Sequence, residues 1–179
     1  MQLKYDSDKI TYVFDTSALI KLESTFKHDN PIFKALWDEI EELIKSGQLK
    51  IIDFVEEEIN DYEGKEDFLK KWIQKFRKAI VEETNEEVLN AAKPIINAEH
   101  NTGFFDPKKQ AAGKEEADPY LIAYCLVHGC TLVTNESVEK PNKIPKVAEK
   151  HGVRAIGIYE FMKERGLELV KRNTEKKEY

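Results

Sequence analysis

Four short stretches constrain this chain more than anything else in it: Tyr12-Val13-Phe14-Asp15-Thr16-Ser17, Val55-Glu56-Glu57-Glu58-Ile59, Ala117-Asp118-Pro119-Tyr120-Leu121-Ile122 and Leu132-Val133-Thr134-Asn135-Glu136. Each sets an acid at the edge of a regular element. An acid at the end of a buried strand or the start of a buried helix is poorly solvated, and four of them brought together repel unless cations hold them. Any fold for this sequence must place those acids where that repulsion is relieved.

The pattern between them is an alternation of strands and helices. Ile10 to Phe14 is β-branched and aromatic, and it gives way to Asp15-Thr16-Ser17, residues that cap helices, and then to the helical run Ala18 to Leu22. Pro31 opens a second helical pattern through Phe33, Leu36, Trp37, Ile40, Leu43 and Ile44, stopped by Gly47 and followed by the strand Leu49-Lys50-Ile51-Ile52. From Phe54 to about Ala98 the period is helical, with breaks near Gly64 and Thr84-Asn85 and a kink or stop at Pro94. Asn97 to Glu115 reads as a mobile loop. Helix returns from Glu116 to His128, then strand Thr131 to Thr134, a lysine-rich loop, strand Arg154 to Ile158 and helix Tyr159 to Arg165. Such alternation predicts an α/β domain with a parallel sheet covered on both faces. The reading is one domain over residues 1–170 with a helical insert at about 60–115, and a charged tail at 171–179.

The chain's 179 residues suit one domain with a substantial core. A hydrophobic content of 41% excludes disorder, and 35% charged residues predict a densely ionic surface. A net charge of -6 argues against general capture of nucleic acid, so any such contact must be local. Lys108, Lys109, Lys114, Lys140, Lys143 and Lys146 flank the third and fourth acids and offer a basic rim. No run is apolar enough to span a bilayer and the N-terminus lacks a signal-peptide core, which predicts a cytoplasmic protein without membrane contact. Cys125 and Cys130 lack zinc-site spacing and read as reduced and buried, and the four histidines as surface or packing residues.

Each acid alone has a plain structural explanation. Asp15 and Asp118 suit helix caps, the latter with proline at the first helical position. Glu136 suits a solvated loop. Glu58 differs from its neighbours, because stepping about 100° per residue puts it near the face of Phe54, Val55, Ile59 and Tyr62, while Glu56 and Glu57 point away. The combination is what argues for chemistry, since ligands of open parallel sheets bind beyond the carboxyl ends of the strands.

Taken in order, the four stretches resemble the PIN-domain family, metal-dependent ribonucleases that include toxins of toxin–antitoxin pairs. Tyr12 to Ser17 is similar to the family's opening strand, Glu58 takes the second acid position, Ala117-Asp118-Pro119 matches the third motif, and Thr134-Asn135-Glu136 matches a Thr-Asn-Asp element with Glu for Asp. The likeness runs from Thr11 to about Leu169, and Lys143-Ile144-Pro145-Lys146-Val147 with Gly152-Val153 look most like an uncharacterised PIN branch. The resemblance implies a three-layer α/β/α sandwich with a central parallel sheet, and hydrolysis of RNA phosphodiesters at one or two Mg²⁺ or Mn²⁺ ions. Asp15 and Asp118 would be the main metal ligands, Glu58 a ligand or water-positioner, and Glu136 a ligand of a second ion or an outer acid. Thr16 and Ser17 would hold Asp15, with Thr134 and Asn135 as further supporting groups. Implied partners are single-stranded RNA, an antitoxin protein and a second copy of the chain. Phe104 and Phe105, beside lysines, either stack on unpaired bases or fold back onto the core. The alternative is a non-catalytic interaction module whose acids are vestigial.

Overall fold

The computed structural model describes residues 10–62 and 68–168. Gly64 and the tail 171–179 lie outside the described residues. Five short strands, β1 (Tyr12–Phe14), β2 (Leu49–Ile52), β3 (Val81–Glu82), β4 (Thr131–Thr134) and β5 (Ala155–Gly157), form one sheet in the order β3-β2-β1-β4-β5. Every pairing is parallel, with Tyr12 opposite both Leu49 and Thr131, and Thr134 opposite Gly157. Side chains on a strand alternate between faces, and all three residues of β1 are fully buried, so both faces of the sheet are covered. The α/β/α sandwich is the one the alternation predicts.

The helices are α1 (Thr16–Thr25), α2 (Lys34–Lys45), α3 (Asp53–Asp61), α4 (Phe68–Ile80), α5 (Glu86–Glu99), α6 (Pro107–Ala111), α7 (Asp118–His128), α8 (Ile144–Lys150) and α9 (Ile158–Glu164). Leu36, Trp37, Ile40, Leu43 and Ile44 of α2 recur at three- and four-residue spacing and are all buried. Phe161 of α9 meets Tyr12 and Phe14 edge-on at 5.0 and 5.2 Å, fixing one face of β1. On α7, seven consecutive residues from Pro119 to Cys125 are buried, so this helix has almost no wet face. It ends at Gly129, whose φ of +67° is the left-handed cap that glycine adopts without steric cost. Both cysteines are free and buried. No described helix is long and apolar enough to cross a membrane.

Three expectations change. Val81–Glu82 is a strand, paired in parallel with Ile51 and Ile52, inside a stretch that reads as helical throughout. Two residues are too short to show a period of two, and they follow directly from α4. Helix α5 runs through Pro94 without stopping. The loop Asn97 to Glu115 is partly helical: it holds the end of α5 and all of α6, capped by the Asp106 carboxylate, which accepts from Lys108 N.

Candidate metal centre

The sheet order steps outward from β1 to β2 and β3, then returns to place β4 and β5 on the other side of β1. That reversal leaves a crevice where β1 and β4 end, the position at which open parallel sheets bind ligands. All four predicted acids line a single cleft of about 290 Å³ there. Asp15 directly follows β1, Glu136 lies two residues past β4, Glu58 is on α3 beyond β2, and Asp118 opens α7.

Asp15 caps α1, accepting from Ala18 N at 2.6 Å, so the capping reading holds as far as it goes. It also accepts from Ser17 Oγ at 2.9 Å and from Thr134 Oγ1. A cap normally stands in water, whereas Asp15 is 3% exposed. Desolvation raises its pKa to about 7, against the lowering effect of its hydrogen-bond donors. Asp118 is not a cap. Ala117 takes the cap position and no side chain bonds there. Among the described residues the Asp118 carboxylate makes no hydrogen bond or ion pair, and desolvation, then Asp15, Glu136, Glu58 and Glu116, push its pKa well above the usual range. A carboxylate with carboxylate neighbours and no donor of its own is a group that a cation would stabilise.

Glu58 joins three elements. It accepts from Thr16 Oγ1 of α1, from Lys109 Nζ of α6 at 3.1 Å, and from Ala117 N ahead of α7 at 3.5 Å. Glu56 instead pairs with Arg77, and Glu57 is exposed, so of the triplet Glu58 is the one that lines the acid cleft. Tyr62, expected on the inward face with Glu58, is 46% exposed because α3 ends at Asp61 and the chain turns extended. Glu136 pairs with Lys143 at 3.1 Å and accepts from Ile144 N.

The supporting polar groups are rearranged relative to expectation. Ser17 and Thr134 hold Asp15, but Thr16 holds Glu58. Asn135 contributes its backbone N–H, donated to Ser17 Oγ, and Glu136 N donates to Thr134 Oγ1. Of the six rim lysines, Lys109, Lys114, Lys143 and Lys146 each pair with a carboxylate, and Lys108 and Lys140 are exposed. Phe104 is 8% exposed and packs with Phe105 at 5.1 Å in the core. Phe104 also lines the acid cleft, and Phe105 is only partly buried.

Two residues of the cleft escape the sequence reading. Glu116 is 9% exposed, accepts from Asp106 N at 2.8 Å, and has a pKa raised by desolvation; Asp106 lines the cleft beside it. Glu116 sits in the acidic run Lys114-Glu115-Glu116, where nothing separates it from a solvated neighbour.

The donor set is carboxylate and hydroxyl oxygen, which suits hard divalent ions. Among the described residues no three acids stand close enough together to ligate one ion, because Glu58 and Glu136 are drawn to lysines. Chemistry and burial fit a metal at Asp15 and Asp118. The outer two acids would have to leave their lysines to join it.

One solved structure shows the same fold. The crystal structure of VapBC2 from Rickettsia felis, bound to a DNA fragment from its promoter, matches with a TM-score of 0.52 at 13% identity, over 83% of this chain and 98% of that one. FitAcB from Neisseria gonorrhoeae matches with a TM-score of 0.48 at 15% identity, over 82% and 96%. No curated protein matches the sequence. The fold is a PIN-like α/β/α sandwich. A sequence profile matches residues 12–169, and the chain therefore belongs to the DUF4411 family, domains of unknown function.

Proposed function

We propose that this protein is a metal-dependent endoribonuclease, acting through Mg²⁺ or Mn²⁺ held by Asp15 and Asp118, with Glu58 and Glu136 completing the site. The observation that carries the reading is Asp118: a carboxylate without a donor, desolvated, and facing the charges of four other acids at the crevice of a parallel sheet. A divalent ion bound there supplies an activated water and neutralises charge on the phosphate.

The chain's own groups do the rest. Ser17, Thr134 and Ala18 N hold the Asp15 carboxylate in one orientation, so it is presented without reorganisation. Glu58, close to Asp118 and at the cleft wall, is placed to position a water or complete the ligand set. Lys109 and Lys143 bring two ammonium groups into the same cleft, the charge that a phosphate requires beside carboxylates. The VapBC2 likeness supports a toxin role with an antitoxin partner, and the net charge of -6 favours a substrate gripped locally.

The test is cleavage of single-stranded RNA with Mn²⁺, joined to calorimetric titration of the ion. Mn²⁺ binding and cleavage, both abolished in Asp15→Asn plus Asp118→Asn, are expected. Binding without cleavage of any RNA would turn the reading toward a non-catalytic module, and no binding would remove the metal centre.

A further inference from the structure

A second pocket, of about 490 Å³, adjoins the acid cleft and shares Thr16, Glu58 and Lys109 with it. Its volume lies within the ~300–1,000 Å³ typical of small-molecule sites. It carries two aromatic side chains, Phe54 and Tyr62, where the acid cleft has Phe104. Phe54, stacked on Tyr120 at 4.2 Å with the rings within 6° of parallel, lines it together with the exposed Tyr62. Four carboxylates also line it, and three are matched. Glu58 pairs with Lys109, Asp61 pairs with Lys114, and Glu115 accepts from the Tyr120 hydroxyl. Glu57 alone makes no hydrogen bond or ion pair among the described residues.

We infer that this pocket is the base subsite of the nuclease, taking an unpaired base that carries an exocyclic amine, guanine above all, from the nucleotide next to the cleaved phosphate. The inference rests on the ribonuclease reading and adds the substrate feature it recognises. Aromatic rings give a flat surface for any base. The unmatched carboxylate decides among bases, because it only accepts hydrogen bonds. Guanine presents adjacent N1–H and N2–H donors that two carboxylate oxygens can receive together, whereas uracil sets its single N–H between two carbonyl oxygens that a carboxylate repels. Lys109 stands where the two cavities meet and suits the phosphate joining that nucleotide to the next.

The test uses the full chain with Mn²⁺ and short oligouridylates, either unmodified or carrying a single guanine. Wild type should cleave the guanine-containing RNA at one bond, with kcat/KM about tenfold or more above the all-uracil RNA, chiefly through KM. Glu57→Ala should bring the two substrates to within about twofold, and Tyr62→Ala should raise KM for both. Both residues are exposed, so the variants should melt with wild type and keep the Mn²⁺-induced shift in melting temperature. Equal cleavage of the two RNAs by wild type, or a guanine preference that survives Glu57→Ala, overturns the base subsite while leaving the nuclease intact. If no RNA is cleaved, titration with guanosine and uridine monophosphates in the absence of metal separates the two claims. Glu57-dependent preference for the guanine nucleotide upholds the pocket alone, and its absence overturns both.

Discussion

Asp15 and Asp118 form the inner half of the acid cleft, Glu58 and Glu136 the outer half, and the two halves solve the same electrostatic problem differently. The inner pair is desolvated and has no cation: Asp15 relies on hydroxyl and backbone donors, and Asp118 has none among the described residues. The outer pair keeps about a quarter of its side-chain surface and is neutralised by Lys109 and Lys143. Burial is the difference. A lysine reaching from a loop can meet a rim carboxylate at little cost, but carrying its ammonium into the interior requires shedding water. On the proposed reading, charge on the inner pair is left for a smaller, doubly charged ion, and the outer lysines are exchangeable.

The largest effect that would break this contrast is on activity. Asp118→Asn or Asp15→Asn should lower kcat/KM at least about a hundredfold, since each removes part of the metal's several kcal/mol of charge stabilisation. Without metal, Asp118→Asn should melt higher than wild type, because it deletes a repelled charge; a lower melting point would show the carboxylate to be a structural partner. Glu58→Gln and Glu136→Gln should have smaller effects on Mn²⁺ affinity than either inner substitution, measured by calorimetry.

Next in size is the melting shift. At free Mn²⁺ about a hundredfold above Kd, binding to the native state alone adds about 2.7 kcal/mol, which for this length is a rise of about 5–11 °C. An undiminished shift in the doubly substituted Asp15→Asn, Asp118→Asn protein would place the ion elsewhere.

The inner pair also predicts a pH dependence. With Asp15 raised to about 7 by desolvation, and Asp118 raised in the same sense, the native state holds protons that the unfolded chain, titrating near 3.8, has released. Stability of the metal-free protein therefore falls as pH rises from about 4 through about 7 on account of Asp15, and Asp118 adds to the fall in the same sense. Melting curves at pH 6 and 8 check the sign, with the higher melting temperature at pH 6. Saturating Mn²⁺ should flatten or reverse that slope.

The smallest effect concerns the outer lysines. Lys109→Ala and Lys143→Ala remove partly exposed pairs contributing about 0–1 kcal/mol, so stability should hardly change. Mn²⁺ should bind up to about fivefold more tightly as the competing cation is lost. Weaker binding would show that the lysines hold Glu58 and Glu136 in ligating position instead of away from it.

Much of this was legible locally. Strand β1, helix α2 and helix α7 follow from period and punctuation, because each is a continuous apolar pattern bounded by capping residues, proline or glycine. The choice of Glu58 over Glu56 and Glu57 followed from helical register, which depends only on the fixed rotation per residue. Strand β3 was not legible, because two residues carry no period and are strand only through the pairing partner that β2 provides. The burial of Phe104 was equally hidden, since an aromatic ring reads the same whether core or solvent lies beside it.

By itself the sequence determined which chemical groups exist, the elements that carry them and the order in which acids punctuate those elements, since these depend on neighbours within a few residues. Only the tertiary structure decided that the sheet reverses direction between β1 and β4, that Thr16 holds Glu58 instead of Asp15, that Glu116 joins the cleft, and that Asp118 is left without a donor. Those are facts of long-range contact and solvent exclusion, and both arise when segments distant in the chain are brought together.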